Sequence, residues 1–537
     1  MQIQRQPRDA IIIPQLVPSN ETILVGLIII ITLGLSIIQT WVGARSTTIV
    51  FYGLNIIALV LGLIWFGIVC YIGLRRPIPL VAAMAFFNFF TAWRPIDLPV
   101  GSFQPSQLLA LSVVGCMLAR AAVHSQQSPS SLRFSQPMLI LVILVVISTL
   151  QTSALNIQTF EQLPIFRSGR ADPFIRASTT VAALLIGMCA YIATSHLLTK
   201  LALIHLVLKS WLLGAVFSIL VGIYLWIRYY VRSLPGLPFT AALGVGGSGV
   251  VERDAAVLTV GNDFIVRITA FAMEPRHLSY LLMPVLCFLF VYLFMDNNLT
   301  GSKWRWVLLT AGVVTVGFIM TTSRSTYVLA VIAVLIILWV TRSKWLSSTS
   351  ALIRMLILLV VVGGLTLVTL QGISGRDPLE FVRLQVASLM QTKLEGSGVP
   401  YAIDGYLVSV YMFADNPLIG QGWGSYVYFT NAYNLRYAQQ SIPNNLYLLM
   451  LGETGLVGFL VLIWIFWQGW RRAFSQLPLI VAQTYRPLLF ALGAALLATY
   501  ASFMFWDTIQ YTHLWMLLGL VQAARMAAKK EAACALA

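Results

Sequence analysis

Charge is scarce in this sequence. Only 10% of its 537 residues are charged, against about 25% in a soluble domain. The shortage falls hardest on acids: 18 Asp and Glu stand against 34 Lys and Arg, for a net charge of +16. Cysteine is also sparse. The five cysteines (Cys70, Cys116, Cys189, Cys287 and Cys534) lie far apart and form no Cys-x-x-Cys pair, so neither a disulfide framework nor a cysteine metal site is indicated. There is no basic stripe and no nucleic-acid motif, so the positive charge does not indicate a nucleic-acid partner. No carboxylate cluster has metal-ligand spacing, and the expectation is chemistry without a metal or cofactor. No internal repeat stands out.

Apolar runs are what the chain has in abundance. Hydrophobic residues make up 59% of it, in stretches near the ~20 residues that cross a hydrocarbon core. Backbone groups in lipid must pair within their own segment, so such stretches are helices. The expected fold is an all-α, polytopic membrane bundle of about fourteen spans. They are placed at 22–41, 48–72, 78–93, 106–123, 137–154, 175–196, 201–227, 277–295, 304–321, 325–341, 351–370, 445–468, 487–506 and 509–524. The first run follows Arg5 and Arg8 without a small-residue cleavage site, and reads as a retained helix.

The positive-inside rule orients the chain. With both termini cytoplasmic, the inner connections hold Arg75, Arg76, Arg120, Arg133, Lys200, Lys303, Arg305, Arg342, Lys344, Arg471, Arg472, Arg525, Lys529 and Lys530. Three long segments then lie outside: 155–174, 228–276 and, largest, 371–444. Loops of that length generally carry function. Outer basic residues are nearly all arginine, whose fork binds phosphate bidentately. Most, Arg167, Arg170, Arg176 and Arg267 among them, read as interfacial anchors. Arg276 and Arg324 are set apart because they stand at helix ends within denser polar motifs.

The Gly244–Gly249 patch matches Gly-x-Gly-x-x-Gly, but it has no strand–helix setting and reads as a flexible hinge. Residues 414–463 are more informative. Asp415-Asn416-Pro417 are turn formers. Gly420, Gly422 and Gly424 permit close backbone approach. Trp423, Tyr426 and Tyr428 offer faces for sugar rings, or an interfacial aromatic belt. Glu453 is ionisable within an apolar run, a functional signal, or else one hydrogen-bonded carboxyl in a small-residue packing seam.

Three patterns together resemble the O-antigen ligase/polymerase superfamily. They are Asn416-Pro-Leu-Ile-Gly420-Gln-Gly422, then Pro443-Asn-Asn445-Leu-Tyr447 followed by Glu453-Thr-Gly455-Leu-Val-Gly458, and Thr322-Ser323-Arg324-Ser325. The resemblance covers roughly 305–468, with a weaker echo at Glu274-Pro275-Arg276. It divides the chain into an N-terminal bundle (1–304), a ligase-like region (305–468) and a C-terminal helix pair with its tail (469–537). The family shows His-Asn where this chain has Asn444-Asn445, and an asparagine takes up no proton at neutral pH.

The resemblance implies a membrane glycosyltransferase of the bacterial cytoplasmic membrane. Its donor would be a polyprenyl-pyrophosphate-linked oligosaccharide, and its acceptor a glycan, lipid or protein hydroxyl. A pyrophosphate leaving group needs charge stabilisation, which Arg276 and Arg324 would supply. For a general base, His277 beside Arg276 is favoured over Glu274, Asp404, Asp415 and Glu453. The expected substrate-binding set is Glu274, Asp415, Gly420, Gly422, Trp423, Arg436, Asn444, Asn445 and Tyr447. Competing readings are a lipid-linked glycan flippase or other polytopic transporter, and a catalytically silent relative.

Overall fold

The computed structural model describes residues 20–45, 50–51, 54–91, 96–98, 101–123, 135–154, 173–231, 257–260, 263–266, 268, 271–272, 275–296, 301–321, 323–345, 360, 364, 399–429, 433 and 443–536. The chain is a polytopic helical membrane bundle. Its helices are α1 (Asn20–Arg45), α2 (Ile56–Arg75), α3 (Pro77–Phe86), α4 (Pro105–Val123), α5 (Gln136–Ser153), α6 (Pro173–Leu197), α7 (Leu201–Tyr230), α8 (Pro275–Met295), α9 (Gly301–Met320), α10 (Arg324–Trp345), α11 (Val399–Asp415), α12 (Tyr426–Phe429), α13 (Leu446–Phe474), α14 (Leu479–Ser502) and α15 (Thr512–Leu536). Among the described residues, nine of these helices are long and apolar enough to cross a membrane, and three shorter apolar helices occupy 20–35, 60–75 and 77–89. Thirteen of the fourteen expected spans coincide with helices. The fourteenth, 351–370, lies almost wholly outside the described residues.

Two features differ from the sequence reading. Short antiparallel hairpins accompany the helices: Val50–Phe51 with Leu54–Asn55, Ile96–Leu98 with Gly101–Phe103, and Val257–Val260 with Asp263–Val266. The segment read as one long outer loop, 371–444, contains α11 and α12. α11 buries Val408 and Met412 against its neighbours and leaves Ile403, Val410 and Tyr411 exposed. That two-faced pattern folds a helix onto the bundle surface.

Helix starts follow local chemistry. Proline opens α3, α4, α6 and α8, where its missing N–H costs no helical bond. α8 is the most enclosed span and packs against α14, α10 and α9. α15 packs against α6 and α14. A Cβ at Gly187 of α6 would meet the Gln510 carbonyl, and one at Gly519 of α15 would meet the Thr194 hydroxyl. Small residues thus bring these two helices close, as membrane packing requires. The helices alternate in direction, so the starts of α6, α8, α10, α13 and α15 share one end of the bundle with the ends of α5 and α14. Arg76 pairs with Glu21 at the opposite end, 3.9 Å apart. Arg525 there donates to the carbonyls of Arg472 (3.1 Å) and Ser475 (3.4 Å).

Candidate functional site

α13 is not continuous. Gly455 has φ 64° and ψ −165°, a left-handed conformation open to glycine at little cost. Breaking a helix in lipid releases backbone donors and acceptors that must be paired elsewhere. The segment Pro417–Trp423 pairs them. Gln421 donates to the Gly452 carbonyl and Gly422 to the Glu453 carbonyl, each at 2.9 Å, while Leu456 donates to the Pro417 carbonyl at 2.8 Å and Val457 to that of Leu418 at 3.2 Å. α5 closes the other side. The Gln151 amide donates to the Gly420 carbonyl (2.8 Å), the Thr152 hydroxyl to the Trp423 carbonyl (2.8 Å), and the Ser148 hydroxyl to the Glu453 carbonyl (3.3 Å).

Gly420, Gly422 and Gly424 all have positive φ. A Cβ at Gly420 would strike the Glu453 backbone, and one at Gly422 the Thr152 side chain and backbone. The glycines expected at a ligand thus meet other helices. Trp423 is 5% exposed and belongs to the core. The Glu453 carboxyl, also 5% exposed, accepts from the backbone N–H groups of Tyr426 (3.1 Å) and Gly424. Arg176 and Asp507 act on it electrostatically, and Arg176 donates to the Gly424 carbonyl at 3.3 Å.

The Asn445 side chain caps α13, accepting from the Leu448 N–H at 3.1 Å, as asparagine does at helix starts. The Tyr447 hydroxyl donates to the Tyr500 carbonyl at the end of α14, 2.7 Å away. The Leu446 N–H donates to the carbonyls of Phe503 (2.9 Å) and Trp506 (3.0 Å). These bonds bring Asn444, half-buried two residues earlier, to the turn between α14 and α15. Trp506 of that turn stacks on His277, with ring centroids 5.7 Å apart, and lies 5.5 Å from Tyr280. The Tyr280 hydroxyl shares a 3.1 Å hydrogen bond with Ser325, which shares another of 3.1 Å with Ser323. The starts of α8, α10 and α13 are thereby joined at one end of the bundle.

Arg276 and His277 occupy the first turn of α8, half-buried. The Arg276 charge reaches Tyr406 of α11. Arg324 opens α10, but its side chain lies outside the described residues, as do Glu274 and Arg436 entirely. Asp415 is exposed at the end of α11 and accepts the Tyr433 hydroxyl at 2.7 Å. Burial first, and then this hydrogen bond to a carboxylate, push the Tyr433 phenol well above its ordinary range. Among the described residues, no group of three His, Cys, Asp or Glu is placed to hold a metal ion. Sequence reasoning missed Tyr280, Trp506, Asp507 and the Ser148–Thr152 side of the clasp. The polar run Ser148-Thr149-Leu150-Gln151-Thr152 at the end of an apolar helix was the available signal.

Residues 307–463 match the family model described as O-antigen ligase. The matched region, less than a third of the chain, is similar to that family. It spans most of α9, all of α10, α11 and α12, and α13 as far as its second half. No curated protein matches the chain. The matched region contains the break at Gly455, its Pro417–Trp423 clasp, the start of α10 and the Asn444-Asn445 corner. His277, Arg276, Trp506, Ser148, Gln151 and Thr152 come from helices and turns outside it.

Proposed function

We propose that this protein is a membrane glycosyltransferase. It transfers or polymerises glycan from a polyprenyl-pyrophosphate-linked oligosaccharide onto a hydroxyl of a glycan, lipid or protein. The observation that carries this reading is the match to the O-antigen ligase family: its α10 start bonds Tyr280 of α8, and its α13 start bonds the turn whose Trp506 stacks on His277. The basic helix ends lie at the opposite end, which supports placing that end in the cytoplasm and the site on the outer face of a bacterial inner membrane.

In this reading Arg276 and Arg324 hold the pyrophosphate. Charge builds on its oxygens as the glycosidic C–O bond breaks, and fixed guanidinium groups stabilise it without reorganising. His277 accepts the proton of the acceptor hydroxyl. Its packing against Trp506 limits the rotation of the ring. Ser325, partly exposed and held by the buried Tyr280 and Ser323, presents a hydroxyl suited to the sugar or phosphate. The reaction needs no metal, because the cationic side chains take the role a divalent ion would otherwise fill.

The broken α13 is the one observation favouring a transporter, since such proteins use discontinuous helices to bind substrate at mid-membrane. Here the freed groups at Gly452–Val457 are taken by the clasp, which leaves them unavailable to a substrate. The deciding experiment incubates the purified protein with lipid-linked oligosaccharide from its host. A ladder of lengthened glycans marks a polymerase and single transfer to an added acceptor marks a ligase. Intact donor, with a competent acceptor present, overturns the enzymatic reading in favour of a transporter or a silent relative with Asn444 in the histidine position.

A further inference from the structure

At the end of the bundle opposite the candidate site, three helices present a continuous row of aromatic rings. Trp339 of α10 lies 5.0 Å from Trp470 of α13 and 5.6 Å from Phe474, centroid to centroid. Trp470 lies 5.3 Å from Phe474, and Phe474 lies 5.3 Å from Phe490 of α14. A guanidinium covers each end of the row. Arg342 stands 5.3 Å over Trp339, and Arg486 stands 5.1 Å over Phe490. The rings are held in place: a Cβ on Gly493 would come within 2.6 Å of the Phe474 ring, so α14 leaves just the room this ring fills.

Trp339, Arg342, Arg471 and Arg486 are exposed, and Trp470, Phe474 and Phe490 are partly exposed. Among the described residues these three arginines form no ion pair. Glu531, the acid on the neighbouring α15, accepts the Tyr485 hydroxyl at 2.5 Å. Immediately toward mid-membrane the same helices expose Val331 and Leu335 on α10, and Trp464 and Trp467 on α13. The row therefore sits where the lipid-facing wall passes from hydrocarbon to headgroup, the level that tryptophan and arginine favour.

The chemistry selects the occupant. Guanidinium forks recognise phosphate, and a row of rings tilted 40–79° to one another offers apolar clefts to the glycerol and upper acyl chains of a lipid. A zwitterionic lipid carries its own cation, which the arginines repel. Free phosphate would gain nothing from the rings. We propose that Trp339, Trp470, Phe474 and Phe490, with Arg342 and Arg486, form a binding site for anionic phospholipid headgroups. The site is separate from the glycan chemistry and lies at the other end of the bundle.

Binding of phosphatidylglycerol to the delipidated full-length protein in detergent tests this, read by native mass spectrometry against phosphatidylcholine of the same chains and against inorganic phosphate. A near-surface arginine adds about fivefold to anionic-lipid affinity, so the R342Q/R486Q double variant should bind phosphatidylglycerol about thirtyfold more weakly. Phosphatidylcholine binding should be weak in both proteins. If the double variant fails to fold by thermal melting, the single R486Q variant serves, with about a fivefold loss expected. The proposal is overturned if the variant retains wild-type phosphatidylglycerol affinity, if phosphatidylcholine binds the wild type equally well, or if inorganic phosphate displaces the lipid at equal concentration.

Discussion

The imidazole of His277 and the indole of Trp506 stack with centroids 5.7 Å apart and planes 25° apart. A ring held in this way turns less freely and presents its edge in a fixed direction, which suits a general base. His277→Ala should lower the initial rate of glycan transfer by about 10²–10⁴-fold while the melting temperature stays near wild type. A rate within a few fold of wild type would remove the base from His277.

The arginine assignment makes a different demand. Arg276→Gln and Arg324→Gln should each cost about 10²–10³-fold in turnover, the scale on which preorganised transition-state donors act. Expression and membrane insertion should be unaffected. Radiolabelled donor consumed per unit of purified protein is the measurement, and full activity in either variant would exclude that residue from pyrophosphate stabilisation.

Gly422→Ala tests the clasp. Its φ of 109° strains any L side chain by about 1–3 kcal/mol, and the added methyl also meets Thr152. A substantial fall in melting temperature follows. Gly312→Ala in α9 is the contrast, because a Cβ there meets nothing within 4 Å. Replacing a helical glycine with alanine should leave stability equal or raise it by about 0.5–1 kcal/mol. Equal stability of the two variants would count against the clasp.

Asn445 separates a cap from a substrate contact. Asn445→Ala should cost about 0.5–2 kcal/mol, and Asn445→Asp should restore it, since both asparagine and aspartate accept at the cap. Transfer per folded molecule should match wild type in the aspartate variant. A variant that keeps its melting temperature but loses transfer would instead make Asn445 a substrate ligand.

The Asp415–Tyr433 bond carries a pH signature. The Tyr433 phenol is raised in the folded protein, so its contribution to stability is complete below the ordinary tyrosine pKa of about 10 and is lost as pH rises beyond it. Ultraviolet titration of wild type against Tyr433→Phe should show one late-ionising phenol missing from the variant. If the phenol missing from the variant is instead one that ionises near the ordinary pKa of about 10, Tyr433 is not raised.

Composition made most of the fold legible, because hydrocarbon thickness imposes helices of known length on any apolar run. The exceptions have particular causes. α2 begins at Ile56, eight residues after the expected start of its span, because the apolar stretch before it contains a hairpin. α11 escaped notice because Asp404 and Gly405 interrupt its apolar face and it follows a long polar stretch. At the site, glycine identity foretold positive φ at Gly420 and Gly422 but could not say which neighbour they would approach. Asn445 and Tyr447 were singled out by a family motif, and the motif itself does not separate helix capping from chemistry. Trp506 was hidden for a plainer reason: its pairing with His277 joins turns distant in sequence.

The broken α13 also bears on how the protein is made. The Ser148 hydroxyl and the Glu453 carbonyl are separated by 305 positions, yet both help to close the gap that Gly455 opens. A ribosome delivers α5 long before residues 307–463 emerge. The clasp can then be covered only on a partner already inserted. Severed from the N-terminal helices, the matched region would keep its own pairing across the break but leave the Gly420 and Trp423 carbonyls without their α5 donors. It is a dependent part of a larger folding unit, and a fragment made of residues 307–463 alone should be degraded rather than assembled.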